Sequence, residues 1–146
     1  MNMYIFDTRE KKNGHIKRYF DDHRIAYRVE KLDAGDYMLD GGSVTVDRKA
    51  SIEEISGNLT NPADKVRFWN EVRLARQMGL RLVVLVETNK CKKVSDLAAW
   101  RSKYSPVRGQ VLIREMNRLR LAYGVQFVFC PKVSTARRIL EVLEEV

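Results

Sequence analysis

Apolar and polar positions change period several times along the chain, and each change predicts a new element. Met3 to Phe6 is a short apolar run that ends at Asp7, followed by a polar turn through Asn13-Gly14. Ile16, Tyr19 and Phe20 fall at helical spacing between His15 and His23. Ile25 to Leu32 then alternates as a half-buried strand, with Ile25, Tyr27 and Val29 on its apolar side. Ala34-Gly35-Asp36 breaks the chain before Tyr37 to Leu39, and Asp40-Gly41-Gly42 is a hairpin-type turn into Ser43 to Asp47. Asp36 and Asp47 thereby belong to neighbouring strands.

The next segments carry helix signals. Ser51 can cap a helix from Ile52, with Glu54 completing a capping box, and Asn61-Pro62 opens a second helix with Asp64 in its first turn. Phe68, Val72 and Ala75 form the apolar stripe of that second helix, which Gly79 can stop. Leu80 to Val86, ending at Glu87, is continuously apolar, as expected of a central strand buried on both faces. Asn89 to Lys93 is a basic linker. Leu112, Met116, Leu119 and Tyr123 share one face of a helix over Arg108 to Tyr123, which ends at Gly124 before a compact strand from Val125 to Cys130. Ser134 caps a last helix with Ile139, Leu143 and Val146 aligned. The order is that of an α/β protein with helices on both faces of a sheet and no internal repeat.

With 146 residues, one domain is expected, and 45% apolar content excludes a disordered basic tail. The +8 net charge favours a polyanionic partner, although solubility alone can explain such a surplus. Two cysteines and two histidines are too few for a thiolate cluster or a multi-histidine zinc site, so any catalytic metal must sit mainly on carboxylates. No apolar run approaches the roughly 18 residues of a membrane span. The polar N-terminus lacks a secretory signal, and these features together predict a cytoplasmic protein with no membrane partner.

The concentrated chemical signal is Gly35-Asp36-Tyr37 followed, one hairpin later, by Val46-Asp47-Arg48-Lys49. Adjacent strand ends can bring Asp36 and Asp47 close enough to share a divalent cation, a task suited to hard carboxylate oxygens and Mg²⁺. Lys49, two residues past Asp47, points to the same side of a continuing strand. There it can orient water or stabilise charge developing on a phosphate. Asp-x-Lys on a strand is also common as plain surface polarity beside a turn. Further acids gather at the same end: Asp7-Thr8-Arg9-Glu10 follows a separate strand, and Glu53 sits one turn into the helix after Lys49. Asp7 can contribute to a metal site directly or through water, and the planar fork of Arg9 suits a phosphate.

These residues, in the stretch GDYMLDGGSVTVDRKASIE, resemble the XPF-type nuclease domain, a branch of the PD-(D/E)xK nuclease superfamily. That family carries GDY, a spacer, Glu-Arg-Lys and an acid four residues past the lysine. By resemblance Asp36 is the first metal-binding acid, Asp47 stands for the motif glutamate, Lys49 is its lysine and Glu53 stands where aspartate is usual. Asp7 and Arg9 match the Asp-x-Arg that ends the family's first strand. Asp for Glu at 47 shortens one reach and Glu for Asp at 53 lengthens another, so the two exchanges can compensate. The resemblance extends through Val86-Glu87 and YSPVRGQVLIREMNRLRLAYGVQFVFC.

The resemblance implies a restriction-endonuclease-like PD-(D/E)xK fold, α/β with a central mixed sheet flanked by helices. It also implies one nuclease domain over residues 1–146 without a tandem helix-hairpin-helix region. The implied activity is Mg²⁺-dependent DNA endonuclease chemistry, with Mn²⁺ able to substitute, in DNA repair or recombination. The implied catalytic residues are Asp7, Arg9, Asp36, Asp47, Lys49 and Glu53, with metal held by Asp7, Asp36, Asp47 and the backbone carbonyl of Arg48. Branched, flap or fork DNA is the implied partner, with a homodimer or a targeting subunit. A noncatalytic DNA-binding or scaffold subunit, and a nuclease for ends or single strands, are the rival readings. Arg9, Lys65, Arg73, Arg76, Arg101, Lys103 and Arg108 are candidates for phosphate contact. Trp69 can stack on a base or pack beside Phe68.

Overall fold

The computed structural model describes residues 2–144. Strands β1 (Tyr4–Phe6), β2 (Tyr27–Val29), β3 (Tyr37–Leu39), β4 (Val44–Lys49), β5 (Arg81–Glu87) and β6 (Gln126–Cys130) form one sheet in the order β2-β1-β3-β4-β5-β6. The tight Asp40–Gly42 turn returns the chain beside itself, so β3 pairs antiparallel with β4, as it does with β1. The longer connections, each carrying a helix, leave β1–β2, β4–β5 and β5–β6 parallel.

The period of two divides β4 and β5 between two cores. Val46, Val83 and Leu85 face helices α1 (Gly14–Asp22) and α5 (Thr135–Glu144), where Ile16, Phe20 and Ile139 are buried. Leu82, Val84 and Val86 face α2 (Ile52–Thr60), α3 (Pro62–Gln77) and α4 (Gly109–Tyr123), packed by Ile55, Leu59, Phe68, Val72, Leu112 and Met116. Each large side chain so buried stabilises the fold by roughly 1.5–3 kcal/mol. Both helix starts form as expected: the Ser51 hydroxyl accepts from the Glu54 amide at 3.1 Å, and the Asn61 side chain from the Asp64 amide at 3.3 Å. Gly124 ends α4 in the left-handed conformation. Among the described residues no helix is long and apolar enough to cross a membrane.

Several expectations change in detail. The strand predicted over Ile25 to Leu32 shrinks to Tyr27–Val29, because β2 is the sheet's edge and its continuation bends so that the Leu32 amide meets the Asp7 carboxylate. Val29, predicted apolar and inward, is 51% exposed. Past the basic linker the chain winds into a 3-10 helix, Val94–Ala99, that buries Leu97. A second 3-10 turn, Lys132–Ser134, precedes α5, so Ser134 belongs to that turn and α5 starts at the buried Thr135. Val146, predicted on the inner face of the last helix, lies outside the described residues.

Candidate active site

The β3–β4 hairpin carries the chemistry because its backbone is forced into one shape. Gly35 has φ +80°, and a Cβ there would stand 2.0 Å from the Thr45 hydroxyl oxygen, so only glycine fits. The Asp36 amide donates to the Val46 carbonyl at 2.7 Å, and the Asp36 carboxylate accepts the Arg48 amide at 2.8 Å. The same Asp36 residue presents its carbonyl to the Asp7 amide at 2.8 Å. Asp7 and Asp36 are thereby tied to each other and to the residues on either side of Asp47, across the ends of β1, β3 and β4.

Alternation along β4 puts Asp47 and Lys49 on the α3 side, with Lys49 Nζ 3.2 Å from Asp47 Oδ2 and 5.5 Å from the centre of the Phe68 ring. Among the described residues the buried Asp47 Oδ2 accepts no well-formed hydrogen bond, and it lies beside that charge. The carboxyls of Asp36 and of Glu71, from α3, both abut Asp47. Burial, then Asp47, pushes the Asp36 carboxyl well above the usual carboxylate range. The same two causes push Glu71 up to about 8. Burial opposes the charge on Lys49, but Asp47 and Glu71 outweigh it and hold its pKa above the ordinary lysine value. Crowded acids relieved by one ammonium are the arrangement that a divalent cation would stabilise further.

Glu71 escaped the sequence reading. It stands at i+3 in the stripe Phe68, Glu71, Val72, Ala75, a charge where the period calls for an apolar residue, and that is the signal that could have found it.

Asp7 and Arg9 form a braced pair. Asp7 is 4% exposed; its Oδ1 accepts the Leu32 amide at 2.7 Å and its Oδ2 accepts Arg9 Nε at 2.9 Å. Burial raises the Asp7 carboxyl, but these donors outweigh it and hold its pKa below the usual value. Arg9 also donates to the Leu32 carbonyl at 2.7 Å, and its charge is felt by Asp36 and Glu71 across the site.

On the opposite face of β4, Arg48 is enclosed. Its guanidinium donates to Glu10 at 2.7 Å, to Glu87 at 2.6 Å and to the Lys11 carbonyl at 2.8 Å. Glu87, at the end of β5, also binds His15 at 2.7 Å and the Thr135 hydroxyl at 2.6 Å. Tyr37 donates to Glu10 at 2.7 Å. This network joins β3, β4, β5, α1 and α5 behind the site, a function that the motif arginine's position alone did not disclose.

Glu53 faces away from the acid cluster. Its carboxylate accepts the Ser102 hydroxyl at 2.8 Å and the Lys103 amide at 2.7 Å, and so pins the loop before α4. The remaining basic candidates are spread out. Lys65 pairs with Glu115 at 3.4 Å, Arg73 lies over Trp69, and Arg76 lies over Tyr123 and donates to the Ala122 carbonyl. Trp69 packs edge-on against Tyr123 at 5.3 Å. Arg101 and Arg108 form a bridge across the base of the pinned loop.

Among the described residues no three His, Cys, Asp or Glu side chains stand ready around a common centre. The donor set nevertheless fits a hard divalent ion: Asp36, the orphaned Asp47 oxygen and the Arg48 carbonyl are all oxygen donors, and Lys49 now supplies the positive charge there.

A mixed sheet flanked by helices, with acid, acid and lysine at the end of its central hairpin, is the restriction-endonuclease-like PD-(D/E)xK nuclease fold. Residues 6–143 match the ERCC4 domain, and the chain belongs to that family, within the PD-(D/E)xK superfamily. Among solved structures it is similar to one described as XPF from Aeropyrum pernix, with a TM-score of 0.73 and 19% identity. The match covers 97% of this chain and 63% of that one, so the chain spans less than two thirds of the relative's length. No curated protein matches the chain.

Proposed function

We propose that the protein is a metal-dependent DNA endonuclease of the XPF type that hydrolyses phosphodiesters in branched, flap or fork DNA. The observation that carries this reading is the convergence of Asp36, Asp47 and Lys49 at one hairpin end, with the Asp7-braced Arg9 facing them. Family membership supports nuclease chemistry of this general kind.

Asp36, Asp47 and the Arg48 carbonyl would hold the ion, with Mg²⁺ the working metal and Mn²⁺ a substitute. When bound, such an ion supplies Lewis-acid polarisation of the phosphodiester and acidifies water for in-line attack. Lys49, beside Asp47, is placed to act as a donor and a positive charge toward the phosphate and the attacking water. Arg9, oriented by Asp7, offers its fork to a phosphate oxygen. Glu53 acts through the loop that it pins. Leu121, 77% exposed on α4, and Val133, 92% exposed, offer apolar area for a second copy or a targeting subunit.

The test is cleavage of labelled fork, flap, three-way, Holliday, single-stranded and plain duplex DNAs with Mg²⁺ or Mn²⁺. Metal-dependent cutting of the branched set, lost in Asp47→Ala and Lys49→Ala, supports the reading. Cutting confined to ends or single strands replaces the substrate class. DNA binding without cutting by folded protein makes the chain a noncatalytic subunit.

A further inference from the structure

The loop between the Val94–Ala99 helix and α4 is built, not loose. The Ser102 amide donates to the Val107 carbonyl at 3.0 Å, and the Ser102 hydroxyl accepts the amides of Tyr104 at 3.1 Å and Ser105 at 3.2 Å. Arg101 and Arg108 close its base. Gly109 is packed so tightly that a Cβ would meet the Leu97 carbonyl oxygen at 1.6 Å. Glu53, four residues past Lys49, clamps the whole loop to the start of α2.

On this ordered backbone Tyr104 is 84% exposed. Its ring makes no aromatic or cation contact among the described residues. Beside it lies a groove of about 300 Å³ lined by Ser51, Glu53, Thr88, Lys90, Lys103 and Tyr104, between the start of α2 and the end of β5. The acids in its wall are already satisfied: Glu53 by the loop, and Glu87 by Arg48, His15 and Thr135. Lys90, Arg101 and Lys103 have no ion pair among the described residues, so their charge faces solvent unopposed.

A rigidly presented aromatic ring beside unpaired cations matches a base with its phosphates on either side. A duplex keeps its bases stacked on one another and offers such a ring nothing. We infer that the Trp100–Val107 loop is a subsite for an unpaired DNA strand, with Tyr104 stacking on one base and Arg101, Lys103 and Lys90 contacting phosphates. The inference rests on the nuclease reading and deepens it: Glu53 becomes the positioning residue that couples α2 to strand capture.

The experiment measures binding with Ca²⁺ in place of Mg²⁺, using an oligothymidylate of about 12 nucleotides that carries one 2-aminopurine, and a blunt duplex as control. Tyr104→Ala should weaken oligothymidylate binding about tenfold and abolish the base's fluorescence quenching, with duplex affinity unchanged. Tyr104→Phe should keep both. Arg101→Ala and Lys103→Ala should each lower the salt dependence by about one released counterion. Unchanged quenching in Tyr104→Ala, or no oligothymidylate binding by wild type, overturns the inference. Metal-dependent cleavage measured on the same preparations separates that failure from failure of the nuclease reading, which would remove cutting altogether.

Discussion

Lys49 Nζ lies 3.2 Å from Asp47 Oδ2, two residues away on the same face of β4, and sets an ammonium against a buried oxygen that makes no well-formed hydrogen bond among the described residues. Removing either side chain takes away a group facing the hairpin end without disturbing the backbone pairing of β4. Asp47→Ala and Lys49→Ala should each lower cleavage about a hundredfold or more. Circular dichroism and the unfolding midpoint should show that both variants stay folded.

The acids around Asp47 make metal affinity depend on pH. Asp36 and Glu71 are both raised in the folded state, so their contribution to stability is present at low pH and is lost as pH climbs from the ordinary carboxylate range toward about 8. A divalent ion should therefore raise the melting temperature more at pH 8 than at pH 6. Binding should release protons, which calorimetry in buffers of different ionisation enthalpy will register. Equal metal stabilisation at both pH values would contradict this linkage.

Glu71→Gln removes one of those crowded charges. The metal-free variant should be more stable than wild type at pH 8, by about 1 kcal/mol, with a flatter dependence on pH. Urea unfolding at pH 6 and pH 8 is the measurement, and a destabilised variant at pH 8 would show that Glu71 serves packing alone.

The Arg48–Glu87 pair gives the opposite sign. Burial opposes ionised Glu87, but Thr135, His15 and Arg48 outweigh it and hold its carboxyl below the usual range, as Leu32 and Arg9 do for Asp7. The stability they contribute is present above the ordinary carboxylate pKa of about 4 and is lost as pH falls through the lower folded values. Glu87→Gln should cost about 3 kcal/mol at neutral pH, because it leaves the buried Arg48 guanidinium short of a charge. It should also blunt the acid unfolding transition.

Gly35→Ala tests the hairpin itself. With φ at +80° and a new methyl driven into Thr45, the variant should lose about 2 kcal/mol or more and weaken metal binding along with stability. The unfolding midpoint and a Ca²⁺ titration check both.

The elements with long, regular patterns were legible in the chain: the stripe Phe68, Val72, Ala75, the apolar run of β5, and the capped starts at Ser51 and Asn61. The acids of the hairpin were legible too, because a tight turn makes Asp36 and Asp47 neighbours by local geometry alone. The strand β2 was legible but its extent was not, since an edge strand is set by what it pairs with, and residues Ile25 to Leu32 alternate well beyond the three that pair. The 3-10 helix at Val94–Ala99 was missed because its six residues are too short to display a period.

By itself, then, the sequence determined the order of strands and helices, the hairpin that joins two acids and a lysine, and the basic character of the chain, all consequences of neighbours within a few turns of backbone. Only the tertiary structure decided which distant groups those residues meet. Glu71 enters the site because α3 packs over β5, next to β4, and brings its carboxyl against Asp47. Arg48 points to the other core, where Glu10 and Glu87 enclose it, and Glu53 reaches forward to hold Lys103 instead of the acid cluster. Contacts between residues dozens of positions apart depend on how helices pack on the sheet, and the spacing of residues along the chain does not encode that.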